Sequence, residues 1–275
     1  MRLKEYLYLY RVVNWRDKIS GVRPVAYIFL GYLMAGRGNF NLFYIFLNTA
    51  AVLGVLIFVY LVNDYYDWKL HGEKNYLSEK TEKVYGWYFI LPMIPAALLN
   101  FFIPARALVL FWTGFALILL YSLPPLRLKE RKVWGFLVPP AGVTLLFLQG
   151  YILLESPGIN MLLFCAIIFL FQCYLEALHV LEDSFSRTEV RKIKETPRAM
   201  ALFKMLPLVS LAVSAGFIFF NRIFIVTAVF SLVRVAALKG FTMDHVRKVR
   251  RNFLLPHLSL YEFGVYGSLG FAGLF

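Results

Sequence analysis

Apolar residues in this chain neither alternate nor recur on a single helical stripe. They come in continuous stretches parted by short polar punctuation. A helix rises about 1.5 Å per residue, so a run of roughly 20 residues crosses a hydrocarbon core of ~30 Å. Runs of this kind fall near 22–36, 40–62, 85–103, 105–123, 134–154, 160–182, 202–220, 222–238 and 254–275. Alternate junctions are tight turns: Gly36-Arg37-Gly38-Asn39, Pro104-Ala105-Arg106, Ser156-Pro157-Gly158 and Asn221-Arg222. The other junctions are longer polar segments at 63–84, 124–133, 183–201 and 239–253. The pattern predicts an all-α, polytopic membrane protein, with one domain over residues 1–275 and nine transmembrane helices.

Composition agrees with this reading. The chain is 60% hydrophobic and only 16% charged, whereas a soluble domain is nearer half apolar and a quarter charged. A globule of 275 residues has too little interior for so much apolar surface, so lipid must serve as the solvent. Cys165 and Cys173 lie in one apolar run and read as small hydrophobes, not as a disulfide. The segment MRLKEYLYLYRVVNWRDKIS has neither a clean apolar core nor a small-residue cleavage site, so no removable signal peptide is expected.

The net charge of +13 acquires meaning from its placement. Of the 29 basic residues, all but Arg37, Arg106 and Arg222 lie in the N-terminal segment, in the polar segments after the even-numbered spans, or near span ends. By the positive-inside rule the N-terminus and those segments are expected in the cytoplasm. The basic charge then serves bilayer anchoring and contact with membrane lipids, and no nucleic-acid partner is expected.

Two segments carry chemistry. Asn63-Asp64-Tyr65-Tyr66-Asp67-Trp68-Lys69-Leu70-His71 follows the second span. If the helix continues, Asn63, Asp67 and His71 share one face at four-residue steps, with Asp64 beside them. Two carboxylates one turn apart repel unless a cation lies between them. Hard oxygens at this spacing suit Mg²⁺, which takes one or two carboxylates and completes its shell with water and substrate phosphates. The second segment, Tyr121-Ser122-Leu123-Pro124-Pro125-Leu126-Arg127-Leu128-Lys129, closes the fourth span. Its paired prolines impose an extended turn from which Arg127 and Lys129 project, where they could neutralise a diphosphate whose tail lies in the bilayer or serve ordinary positive-inside anchoring.

These strings resemble the UbiA superfamily of intramembrane prenyltransferases. The likeness rests on Asn63-Asp64-x-x-Asp67, on Tyr121-Ser122-x-Pro124-Pro125-x-Arg127-x-Lys129, and on long segments after even-numbered spans. The resemblance implies a helical bundle around a central cavity open to the cytoplasm. It also implies transfer of an isoprenyl group from an isoprenyl diphosphate to a hydrophobic acceptor, such as an aromatic ring or a lipid headgroup, with Mg²⁺ held by two Asp-rich motifs. This sequence departs from the family at two points. The family's first motif usually ends in a third Asp, where this chain has His71. Its second, Asp-x-x-x-Asp, matches only His179-Val180-Leu181-Glu182-Asp183, and the loop beyond is cationic, with Arg187, Arg191, Lys192 and Lys194.

Glu176, His179, Glu182 and Asp183 share one side of the end of span 6. An ionisable residue inside a span costs roughly 2.5–3.5 kcal/mol on insertion scales, so Glu176 is expected to face an interior cavity. His179 could hydrogen-bond a phosphate, ligate metal or act as a base. Glu262 and His257 could line the cavity or pair with neighbouring helices. The expected metal ligands are Asn63, Asp64, Asp67, Glu182 and Asp183. Asp64, Asp67, Glu176 and His179 are expected in catalysis, and Asn63, Lys69, Tyr121, Arg127 and Lys129 against substrate. Two other readings stay open. One is a changed reaction, either terpene cyclisation or a phosphoribosyl-type transfer onto a polyprenyl phosphate. The other is lipid binding or transport without catalysis.

Overall fold

The computed structural model describes residues 23–36, 41–72, 77, 86–186, 196–239 and 254–272. The regular structure in them is helical throughout: α1 (Arg23–Gly36), α2 (Leu42–His71), a broken α3, α4 (Ala105–Ser122), α5 (Lys132–Ile152), α6 (Ile159–Ser186), α7 (Thr196–Phe217), α8 (Ile225–Ala237) and α9 (Leu254–Phe271). The break in α3 follows from its prolines. Trp87–Ile90 passes into a 3-10 turn at Leu91–Met93 and then into Ile94–Leu99, with Pro92 and Pro95 each at the start of a segment, where a missing N–H costs least. Among the described residues, α2, α4, α5, α6 and α7 are long and apolar enough to cross a membrane, and α1 and α3 are shorter apolar helices.

α1 crosses α5 at the centre. On one side α2 and α4 close a circuit with this pair and α3 packs outside α2; on the other, α6, α7, α8 and α9 lead back to α1. Two glycines permit the central crossing. A Cβ on Gly31 would come within 2.1 Å of the Phe147 carbonyl oxygen, and one on Gly150 within 2.1 Å of the Ile28 carbonyl oxygen. Such reciprocal close approach is how small residues bring membrane helices together where lipid supplies no hydrophobic drive. The interior is mostly apolar, with Ile28, Val55, Leu99 and Phe111 buried in the first circuit and Phe147, Phe164 and Tyr266 in the second. Large apolar side chains also face outward, Phe46 at 78% exposure and Phe101 at 81%, which suits a lipid-facing surface and no aqueous one.

α2 has 30 residues, about 45 Å of helix. It therefore outlasts the hydrocarbon core and carries the polar string 63–71 beyond it on an unbroken helix, as the sequence predicts. Asn41 caps its start, its side chain accepting from the Tyr44 N–H. Gly72 ends it in the left-handed region at φ 65°, its N–H returning to the Asp67 and Trp68 carbonyls.

Candidate active site at the ends of α2 and α4

Ser122, the last residue of α4, donates to Asn63 Oδ1 at 3.1 Å and joins α4 to the polar end of α2. The chain then turns through Leu123 to Leu126, with a cis Pro124–Pro125 bond, and the Arg127 N–H closes the turn on the Leu123 carbonyl at 2.8 Å. Arg127 lies in the left-handed region at φ 33°, and a 3-10 turn over Leu128–Glu130 leads into α5. Gly135 lets this loop lie on α5, since a Cβ there would meet the Lys129 carbonyl oxygen at 2.7 Å.

This path folds both cations back onto α2. Arg127 is buried (5% exposed) where the sequence suggests a side chain projecting from the membrane. It is drawn in by Asp67, whose Oδ1 accepts from Arg127 Nη2 at 2.8 Å, while Nη1 reaches the Tyr66 carbonyl at 3.5 Å. Lys129 Nζ hydrogen-bonds the same Asp67 oxygen and also Asn63 Oδ1 at 2.7 Å. Asn63 Nδ2 in turn donates to Asp67 Oδ2 at 2.8 Å. Two cations therefore converge on one carboxylate whose side chain is only 13% exposed, an arrangement that could meet an anion arriving from outside. Asp64 is buried one residue beyond Asn63.

The remaining expected residues divide. Tyr121 stands within electrostatic reach of both Asp67 on α2 and Glu176 on α6. Glu176 is half-buried and His179 exposed. The backbone of Glu182 and Asp183 continues α6, and their side chains lie outside the described residues, as does that of His257. Lys69 does not join the cluster: its Nζ approaches the Tyr65 hydroxyl at 3.4 Å and lies 5.5 Å from that ring's centre. Glu262 pairs with Arg234 of α8 in the interior. Glu130 escapes the motif reading, and Ser122 lies in the motif string with no role assigned to it. Glu130 Oε1 lies 2.7 Å from Arg127 Nε and 3.0 Å from His71 Nε2.

The donor set fits a small hard cation. The oxygens of Asn63 and Asp67 already share a positive group, the Lys129 ammonium, between them. A divalent ion could exchange with that group and gain Asp64 alongside. Among the described residues no three His, Cys, Asp or Glu side chains converge. The protein would thus supply a partial shell, the arrangement Mg²⁺ takes when substrate phosphates complete it.

No family model and no curated protein matches the sequence. Solved structures do. A digeranylgeranylglyceryl phosphate synthase aligns over 96% of this chain and 98% of its own at a TM-score of 0.69 and 17% identity. A UbiA homologue from Archaeoglobus fulgidus bound to GPP and Mg²⁺ aligns over 98% and 99% at a TM-score of 0.66 and 15% identity. The same homologue bound to DMAPP and Mg²⁺ gives 0.67 at 16%. With nearly the whole length of both chains superposed, the fold of this protein is the UbiA fold.

Proposed function

We propose that this protein is a Mg²⁺-dependent intramembrane prenyltransferase that moves an isoprenyl group from an isoprenyl diphosphate to an aromatic or lipid acceptor. In this reading all nine helical segments cross the bilayer, with the N-terminus and the α2 and α4 ends in the cytoplasm. The observation that carries it is the cation pair Arg127 and Lys129 closed on Asn63 and Asp67 at the membrane-proximal end of α2, in a fold whose solved relative binds GPP and Mg²⁺.

Asn63, Asp64 and Asp67 would hold the metal, with Glu182 and Asp183 bringing a second set of oxygens from α6. Bound there, Mg²⁺ would draw charge from the diphosphate and make it a better leaving group. Arg127 and Lys129 offset the remaining negative charge as the allylic carbon–oxygen bond breaks and its electron pair leaves with the diphosphate. The new bond forms between that carbon and a nucleophilic atom of the acceptor, which gives up a proton. Glu176 or His179 of α6 would take that proton. The bundle keeps water from the cation.

Purified protein in detergent, incubated with isoprenyl diphosphates of several lengths and candidate acceptors, should release pyrophosphate and yield a prenylated product only when Mg²⁺ is present. Asp67→Ala should lower that rate by about 100- to 1000-fold, as expected when a preorganised charge contact is removed. An Asp67→Ala protein working at the wild-type rate would end the assignment. An unconjugated cyclic hydrocarbon in the product spectrum would mark cyclisation instead.

A further inference from the structure

The pairing of Arg127 and Lys129 with one oxygen of Asp67 poses an electrostatic problem. Two cations converging on a single atom repel each other, and one carboxylate balances only one of them. Arg127 is also a non-glycine residue at φ 33°, a conformation that costs about 1–2 kcal/mol and persists only where surrounding contacts impose it. Whatever holds the guanidinium in place must therefore act on it from outside the Asn63–Asp67 pair.

Glu130 meets that requirement. The 3-10 turn that returns the Glu130 N–H to the Arg127 carbonyl at 2.9 Å also brings the Glu130 carboxylate beneath Arg127. Oε1 pairs with Arg127 Nε at 2.7 Å, as an ion pair whose angle falls short of a hydrogen bond. That leaves Nη1 and Nη2 turned toward α2. Glu130 is half-exposed at 49% and would be a loose partner alone. His71 fixes it from the last turn of α2, its Nε2 lying 3.0 Å from the same Oε1. A carboxylate only accepts, so that nitrogen carries the hydrogen. The four side chains close a circuit, Asp67–Arg127–Glu130–His71, whose two ends are one turn apart on α2.

We infer that Glu130 and His71 are positioning residues, which hold Arg127 in the orientation that faces Asp67 and the incoming diphosphate. The inference rests on the diphosphate reading of the site for its consequence, and on the circuit for its cause. Glu130 balances the second cation while no anion is present and keeps the Nη edge of the guanidinium presented. His71 ties the loop to α2 at a second point, so that the Arg127 backbone stays in its uncommon conformation.

The test uses the purified full chain in detergent, with Mg²⁺ and inorganic pyrophosphate as the probe and affinity read from the ligand-dependent rise in unfolding temperature. Glu130→Gln should weaken Mg-pyrophosphate binding about 10-fold, the scale typical of residues that orient a ligand-binding group. Glu130→Asp should restore most of it. Neither Glu130→Gln nor His71→Ala should have a further effect in an Arg127→Ala background, because both act through Arg127. If Glu130→Gln does not fold, His71→Ala carries the same comparison. Wild-type affinity in both single variants overturns the inference, as does a loss that persists undiminished without Arg127. If the wild type itself fails to bind Mg-pyrophosphate, the diphosphate reading falls. The circuit is then judged by whether the unfolding temperatures of the Glu130→Gln and Arg127→Ala single and double variants are non-additive, and additive shifts overturn it.

Discussion

Among the described residues two ion-pair clusters lie in or beside the bundle, and they are built on opposite plans. At the end of α2, Asp67 faces both Arg127 and Lys129, and the three side chains are 13%, 6% and 19% exposed. In the interior of the second circuit Arg234 and Glu262 pair one to one at 4% and 2% exposure. Glu262 is also hydrogen-bonded by Thr227, and the Arg234 guanidinium lies 4.9 Å from the centre of the Phe171 ring. The inner pair sets one cation against one acid and is sealed from water. The outer cluster sets two cations on one oxygen of Asp67, has its second acid, Glu130, half-exposed, and so reaches water. The difference separates a contact that joins α8 to α9 from one that can open. Burial alone would rank the inner pair as the stronger candidate for function; access to water and the sharing of one carboxylate oxygen by two cations reverse that ranking.

The sharpest way to break this comparison is to remove one inner partner. Arg234→Leu strands Glu262 as a buried, uncompensated acid, and losses of about 3–5 kcal/mol are usual for such a change. The unfolding temperature in detergent should fall steeply. Arg234→Leu combined with Glu262→Leu should recover most of the loss, since an apolar pair of similar volume replaces an ionic one at little net cost. Folded protein of the double variant should bind Mg-pyrophosphate as the wild type does. A double variant that is stable but no longer binds would move the inner pair into the site and erase the distinction.

The next effect is smaller and has two signs. Lys129 occupies the oxygens of Asn63 and Asp67 while also supplying charge for a diphosphate. Lys129→Met should therefore bind Mg²⁺ alone more tightly, because an internal competitor has gone. It should bind Mg-pyrophosphate more weakly, by about 10-fold, within the range for a lost hydrogen bond to a charged group. Isothermal titration of the two ligands separates the terms. If both affinities fall together, Lys129 is a ligand-holding residue only and does not occupy a cation's position.

How much of this was legible in the sequence depends on the distance between partners. The helix through 63–71 could be read because its cues are local: a long apolar run, four-residue steps, and a glycine at 72 to stop it. The Asn63–Asp67 contact follows from the same steps. Arg127 and Lys129 were identifiable as cations near the membrane, but the inward fold of Arg127 was not, because it depends on Asp67 sixty residues away. Ser122 stands in the motif string but its contact is not legible there, and Glu130 leaves no trace in the pattern. Each meets its α2 partner across a separation of 59 residues, and a lone serine or glutamate at the end of a span is ordinary in any membrane protein. The inner pair was half legible. Glu262 reads as an acid inside a span, but nothing local identifies Arg234, 28 residues earlier, as its partner.

Lys69 gives the smallest prediction and the one most sensitive to helix geometry. It lies in the motif string and carries the right charge, which placed it among the substrate-binding residues. It also lies two positions after Asp67, and residues two apart on a helix turn away from each other by about 200°. The structure follows the geometry and not the charge. Lys69 approaches Tyr65, four residues back, and remains exposed. Lys69→Ala should thus change Mg-pyrophosphate affinity by less than about twofold, as is usual for a surface substitution clear of any site. Lys129→Met, of identical formal charge change, should cost several times more. Equal losses from the two variants would mean that the end of α2 recruits cations by general electrostatic attraction. The contacts that set Arg127 and Lys129 apart from the other basic residues would then carry no specificity.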